Sequence, residues 1–107
     1  MKQSRAIDAL SALSHKTRLD VFRLLVQEGP SGLAAGEIAK RLGALQNTMS
    51  AHLGVLSRAG LVRGVREGRV IRYCADYDAM RSLIHYLLED CCAGDQVICY
   101  PFIRNSA

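Results

Sequence analysis

The cysteines are the residues with the most distinctive chemistry in this sequence: Cys74, Cys91, Cys92 and Cys99. The last three lie within nine positions, two of them adjacent and the third seven residues further on. Thiolates bind soft, thiophilic ions, whereas hard cations prefer oxygen ligands. Three sulfurs suit a pyramidal ion such as As(III) or Sb(III), because a tetrahedral zinc site requires a fourth ligand. We therefore predict an As(III) or Sb(III) site at Cys91, Cys92 and Cys99.

Two other uses of the same thiols stay open. Cys91 or Cys92 could pair with Cys99 on oxidation, which would make the protein a thiol redox sensor. The triplet could also bind Cd(II), Pb(II) or Zn(II). We expect Cys74 to be a packed strand residue rather than a ligand.

A second group of residues suits contact with DNA, and it falls near the start of a helix predicted over residues 46–58. Amide side chains can bond adenine edges in bidentate fashion, and hydroxyl groups can bond a base or a phosphate. His52, further along, could contact a phosphate or be partly buried in the fold. The predicted base-reading residues are Gln46, Asn47, Thr48 and Ser50.

The charge distribution favours the same surface. The net charge is +4, and residues 40–72 carry seven basic side chains against the single acid Glu67. Residues 73–107 carry two arginines and five acids. A basic block beside an acidic end is typical of one face that binds phosphates. We therefore predict double-stranded DNA as a partner.

The periodicity of apolar residues predicts the elements that position these groups. Helices are expected over residues 2–13, 17–26, 35–42 and 46–58, with Ser14 as the cap of the second. Residues 61–75 then alternate apolar and polar around a glycine turn, which predicts a β-hairpin. Asp78 is a cap or first-turn acid of a last helix that ends at Gly94. From the hairpin, three arginines would point toward DNA: Arg66, Arg69 and Arg72.

A helix-turn-helix followed by a hairpin wing is a winged helix-turn-helix, mainly α, in the order ααααββα. We assign residues 1–92 to one DNA-binding and dimerisation domain and residues 93–107 to a tail that contributes to the predicted cysteine site. The first and last helices have larger apolar faces than a small core needs. We therefore expect a homodimer formed through these two helices, with its recognition helices about 34–36 Å apart.

Three runs of residues resemble the ArsR/SmtB family of metal-sensing repressors: LSHKTRL at residues 13–19, TMSAHLGVL at residues 48–56 and AGLV at residues 59–62. The resemblance implies a homodimeric repressor that leaves its operator when an inducer binds. The arsenic-sensing cysteines of the third helix are absent, since Ala34, Ala35 and Gly36 occupy that region. The C-terminal triplet resembles that of the arsenite-responsive subgroup. One departure is Leu45, where many members have a capping serine.

Other classes of protein fit the sequence poorly. The zinc-type site of the family is not expected, because Met80 stands where a histidine is needed and His85 lacks a partner. We see no catalytic constellation and no phosphate-binding glycine loop, so we expect neither an enzyme nor an organic cofactor. Apolar runs are short and no signal peptide is apparent, so we expect a cytoplasmic protein without membrane contact.

Overall fold

The computed structural model describes residues 1–89, which form five helices and a three-stranded antiparallel sheet. In chain order the elements are α1 (Gln3–Leu13), α2 (Lys16–Glu28), β1 (Leu33–Ala34), α3 (Ala35–Leu42), α4 (Gln46–Arg58), β2 (Val62–Glu67), β3 (Val70–Ala75) and α5 (Tyr77–Leu88). This is a winged helix-turn-helix, as the sequence predicts, with one additional short strand.

The core is made by apolar residues three or four positions apart on successive helices, which is the spacing that places them on one helix face. In α1 these residues are the small Ala6, Ala9 and Ala12, so α2 and α4 approach α1 closely. The burial of each large side chain stabilises the fold by roughly 1.5–3 kcal/mol. Those of α2 and α4 are Val21, Phe22, Leu25, Met49, Leu53 and Leu56.

The turn between α3 and α4 is fixed by its backbone. Gly43 adopts a left-handed conformation, with φ of 66°, at the end of α3, and a residue without Cβ adopts this conformation readily. The Ala44 N–H then donates to the Ala39 carbonyl over 2.9 Å. The bounds of both helices agree with the predicted ranges of 35–42 and 46–58.

The sheet has the order β1-β3-β2, and β1 was not predicted from the sequence. In β1, Leu33 pairs with Tyr73 of β3. Gly32, with φ of 67°, lies against the Tyr73 carbonyl, where a Cβ would collide with the backbone. A strand of two residues carries no periodic signal of its own, so it forms only because β3 supplies its partner.

Two predicted helix ends are corrected, and at a third the structure decides between the two predicted roles of Asp78. His15 rather than Ser14 caps α2, since its Nδ1 accepts from the Thr17 N–H, whereas the Ser14 hydroxyl donates to the Ser11 carbonyl. Asp76 caps α5 by accepting from the Ala79 N–H, which leaves Asp78 as the first-turn acid. The helix α5 ends at Leu88, earlier than the predicted end near Gly94.

Candidate DNA-binding surface

The outward face of α4 carries the polar residues that the sequence singles out. Because Met49, Leu53 and Leu56 are buried against the core, the opposite side of the helix faces solvent. The predicted readers all fall on this exposed first half of the helix: Gln46, Asn47, Thr48 and Ser50. An exposed helix face of amide and hydroxyl groups is suited to the major groove.

Three of these side chains have local partners in the absence of DNA. The Gln46 amide lies against α3, where a Cβ on Gly36 would be 3.5 Å from its Nε2. The Asn47 Oδ1 accepts from the Thr48 N–H over 2.8 Å, and the Ser50 hydroxyl donates to the Gln46 carbonyl over 3.3 Å. Such exposed hydrogen bonds are worth about 1 kcal/mol, so a base edge can replace them.

His52 lies one turn after Thr48, on the half-buried edge of α4 that meets the start of α2. Its ring centroid is 4.7 Å from that of His15. Burial is the main reason that the pKa of His52 is lowered from its usual 6.5, and the charges of His15 and Arg18 lower it further. Arg18 itself is held by a hydrogen bond from its Nε to the Ala12 carbonyl, 2.6 Å long. The structure thus places His52 in a contact between α2 and α4, one helical turn after Thr48.

The wing is the hairpin of β2 and β3, and its register sorts the predicted arginines onto two faces. Arg66 pairs with Ile71, whereas Arg72 pairs with Val65. Since directly paired residues share a face and neighbours along a strand alternate, Arg66 and Arg72 point to opposite sides. Arg69 lies in the exposed turn between the strands.

Arg72 is also held by the protein itself. Its Nε lies 2.7 Å from the Glu67 carboxylate, and its Nη1 donates to the Gly32 carbonyl over 3.2 Å. These contacts tie the wing to the segment before β1. Of the three predicted wing arginines, Arg66 and Arg69 are therefore the two whose charge faces solvent without an acid partner among residues 1–89.

Other basic residues of the central block are neutralised by acids. Arg41 pairs with Glu37 and Glu28, and hydrogen bonding to Glu37 is the main reason that its pKa is raised. Arg63 lies 3.8 Å from the Asp76 carboxylate. Within the described part of the chain, the basic residues of the block that have no acid partner are Lys40, Arg58, Arg66 and Arg69. The Arg41–Glu37 pair has the i,i+4 spacing of one helix, whereas the other pairs join different elements and could not be predicted from sequence spacing.

The terminal helices expose apolar side chains next to the core. Ile7 and Leu10 of α1 are 57% and 44% exposed, and Leu87 of α5 is 54% exposed. The two helices contact each other, and their buried side chains, which include Ala6, Ala9 and Leu83, belong to the core. Apolar residues concentrated on adjoining helices form a surface suited to association.

The predicted cysteine site falls outside the described residues, which end before Cys91, Cys92 and Cys99. Cys74 is half-buried on β3, on the wing face that it shares with Arg72. No group of three or more His, Cys, Asp or Glu side chains that could hold a metal occurs within residues 1–89. In the same range, no helix is both long and apolar enough to cross a membrane.

Comparisons with known proteins agree with this geometry. A helix-turn-helix domain family matches residues 13–65. The transcriptional activator HlyU of Vibrio cholerae is 28% identical over 93 residues, covering 87% of this chain and 83% of its own. The nodulation protein NolR of Rhizobium meliloti is 31% identical over 101 residues, covering 92% and 79%. The biofilm growth-associated repressor of Agrobacterium fabrum is 34% identical over 87 residues, covering 81% and 72%.

Solved structures resemble the fold over most of its length. An ArsR-like transcriptional regulator from Rhodococcus sp. RHA1 superposes with a TM-score of 0.74 at 26% identity, covering 92% of this chain and 90% of its own. A homodimeric winged helix-turn-helix DNA-binding domain from Mycobacterium bovis gives 0.66 at 26%, covering 91% and 84%. Reduced HlyU from Vibrio cholerae gives 0.62 at 30%, covering 78% and 88%.

Three of these proteins are named as a transcriptional activator, a repressor and a transcriptional regulator, and none of them is named as an enzyme. The fold of the solved relatives is the one that presents α4 and the wing here. The chain belongs to the ArsR-type family of winged helix-turn-helix transcriptional regulators and binds DNA.

Proposed function

We propose that this protein is a homodimeric repressor that reads an operator with two copies of α4 and is released by a thiol-binding inducer. The observation that supports DNA reading best is the exposed polar start of α4 beside the wing, where Arg66 and Arg69 have no acid partner among residues 1–89. In this arrangement α4 enters the major groove, and the two arginines contact the phosphate backbone or the minor groove. Such a regulator acts where the DNA is, in the cytoplasm.

The dimer follows from the apolar surface formed by Ile7, Leu10 and Leu87 on α1 and α5. Pairing of two copies about a twofold axis through these helices would cover the exposed side chains. It would also present two α4 helices on the same side, as two half-sites one helical turn apart require. The homodimeric domain from Mycobacterium bovis supports this assembly by its similar fold.

Asn47 provides a direct test of base reading. Asn47→Ala should weaken binding to a duplex selected from a random pool by roughly 5–150-fold, because one bidentate contact to adenine is worth about 1–3 kcal/mol. Fluorescence anisotropy at fixed salt measures the change. Ser57→Ala, a small polar residue later on the same helix, is the matched control and should bind as the wild type does. Equal binding by both variants would contradict the assignment of α4 as the reading helix.

For the inducer, we propose As(III) or Sb(III) held by Cys91, Cys92 and Cys99. Three thiols would displace three hydroxide groups from arsenous acid as water, which leaves arsenic bonded to three sulfurs. This proposal rests on the sequence, in which the three cysteines lie within nine positions. Binding beside the dimer helix would change the spacing of the two α4 helices and so weaken operator binding.

A thiol redox response is the second candidate, and it is favoured by the description of one solved relative as reduced HlyU. In that case two thiols would form one disulfide while hydrogen peroxide is reduced to two waters. Titration of the protein–DNA complex with arsenite, antimonite, cadmium, lead, zinc and peroxide separates the candidates. Release by peroxide without metalloid would favour the redox response, and release by Cd(II), Pb(II) or Zn(II) alone would indicate a metal sensor.

Repression is the direction that we propose, since a dimer bound across a promoter excludes RNA polymerase. One relative is named as a repressor and another as an activator, so the direction requires its own test. Transcription in vitro from a promoter that contains the selected duplex should fall when the protein is added. A rise in transcript would contradict repression while leaving the DNA-binding function intact.

A further inference from the structure

Leu45 has a surface position that neither the core nor the proposed dimer explains. It is 72% exposed, the highest value among the large apolar residues exposed within residues 1–89. It occupies the N-cap of α4, directly before the polar residues of the proposed reading face. A solvent-facing leucine at the start of a reading helix would therefore be among the first side chains of that helix to contact its ligand.

The choice of leucine at this position also has a structural cost. Serine, threonine, asparagine and aspartate stabilise an N-cap by accepting a backbone N–H, and their absence costs about 1 kcal/mol. The Leu45 side chain can accept no hydrogen bond, and α4 has no side-chain cap. Leu45 thus contributes neither to the capping of α4 nor to the core.

The backbone holds Leu45 firmly relative to α4. Its carbonyl accepts from the Met49 N–H over 2.9 Å, and Met49 is fully buried. On the other side, the Ala44 N–H is bonded to the Ala39 carbonyl of α3. The leucine methyl groups are therefore presented from a rigid turn rather than from a loose loop, as a contact that discriminates between ligands requires.

We propose that Leu45 is a specificity-determining residue that contacts the C5-methyl group of a thymine in the major groove. This rests on the proposed function, in which α4 enters that groove by its first turn. Thymine is the base that offers an apolar group there, and apolar side chains recognise it by contact with the methyl. The neighbouring Asn47 and Thr48 supply polar contacts to adjacent bases. The apolar contact of Leu45 adds recognition of the thymine methyl group, which hydrogen bonds do not provide.

Replacement of thymine by deoxyuridine tests this contact, because it removes only the methyl group. The probe is a duplex enriched from a random pool by the full chain, with each thymine replaced in turn and binding measured by anisotropy at one salt concentration. For the wild type, one thymine per half-site should show about fourfold weaker binding as deoxyuridine, which corresponds to one buried methyl group. Leu45→Ala should bind the two duplexes equally.

The controls separate this contact from a general effect on affinity. Leu19→Ala removes another exposed leucine, which lies on α2 and is 42% exposed, and it should keep the thymine preference of the wild type. Leu45→Met, which keeps an apolar side chain, should retain part of the preference. A thymine effect that persists in Leu45→Ala, or that is absent from the wild type at every position, would overturn the proposal while DNA reading stands. Failure of the chain to enrich any duplex would overturn both.

Discussion

At the scale of single residues, His52 shows how a plausible DNA ligand becomes part of the fold. Its ring packs on His15, whose Nδ1 is already engaged in capping α2. Protonation of His52 would place a charge in a half-buried site near Arg18 and the start of a helix, where positive charge is unfavourable. This environment explains why the pKa of His52 is lowered.

This pKa predicts a loss of stability in acid. Because the pKa of His52 is below 6.5 in the folded protein, the folded state binds fewer protons than the unfolded state as the pH falls through 6.5. The stabilisation is therefore complete above about pH 6.5 and declines below it, until the folded-state pKa is passed. Urea unfolding between pH 8 and pH 5 should show a steeper decline for the wild type than for His52→Gln.

His85→Gln is the control for this experiment. His85 lies on α5, outside the contact between α2 and α4, so the His85→Gln variant should keep the decline that His52 causes. If the free energy of unfolding fell equally with pH in the wild type and in His52→Gln, this would contradict the proposal that burial of His52 causes the decline.

The wing arginines differ in whether an acidic side chain lies next to them. Arg66 and Arg69 have no acid partner among residues 1–89, whereas Arg72 is paired with Glu67. Each arginine that contacts a phosphate contributes about one unit to the slope of log affinity against log salt. Arg66→Ala and Arg69→Ala should each reduce that slope by about one, and Arg72→Ala should reduce it by less.

Titrations of the selected duplex at several salt concentrations measure these slopes. An equal reduction for all three variants would mean that Arg72 leaves Glu67 to bind DNA. No reduction for Arg66 or Arg69 would contradict contact between the wing and the phosphates.

At the scale of elements, α4 provides a test of the balance between stability and recognition. Leu45→Ser should stabilise the protein by about 1 kcal/mol, since a serine at the N-cap can accept a backbone N–H of the first turn. Leu45→Ala removes the same side chain without adding a cap, so it should not stabilise the fold. Thermal unfolding of the two variants measures the difference. Equal melting temperatures would show that the start of α4 gains nothing from a cap.

The elements also show what the sequence alone could predict. The bounds of α3 and α4 are correct, because Gly43 and Gly60 lie directly beyond the two helices and their apolar spacing is regular. Other features depend on contacts between distant segments. β1 exists through its pairing with β3, and the two faces of the wing follow from a register that periodicity does not reveal.

Some features of the candidate site could likewise be predicted from the sequence, and others could not. The polar residues of α4 could be predicted, since one short helix contains them all. The pairs of Arg41 with Glu28, Arg63 with Asp76 and Arg72 with Glu67 could not, because each joins residues of different elements. Leu45 was noticed in the sequence only as a missing cap, and its exposure is known only from the structure.

At the scale of the whole molecule, the proposed dimer would connect the DNA surface with the predicted thiol site. Leu87→Asp should weaken dimer formation by more than about 100-fold, because an unpaired carboxylate buried in an interface costs several kcal/mol. Sedimentation equilibrium should then show a monomer at concentrations where the wild type is a dimer. Leu19→Asp, on α2, is the control and should remain dimeric. A dimeric Leu87→Asp would place the interface elsewhere.

The proposed inducer response would also be a property of the whole molecule. A variant with Cys91, Cys92 and Cys99 changed to serine should bind the selected duplex as tightly as the wild type. It should lose the release by arsenite, which we expect to be roughly 5–150-fold in affinity. Cys74→Ser is the matched control and should respond normally. Release of the triple variant by arsenite would show that the three cysteines do not form the site.

The central claim, that a dimer reads DNA with two α4 helices, is tested most directly by the sequence and footprint of the duplex that the chain selects from a random pool. We predict an inverted repeat whose half-site centres are about 10–10.5 base pairs apart, or a multiple of that distance, with two protected major grooves on one side of the helix. A single unrepeated site, or binding without sequence preference, would contradict it.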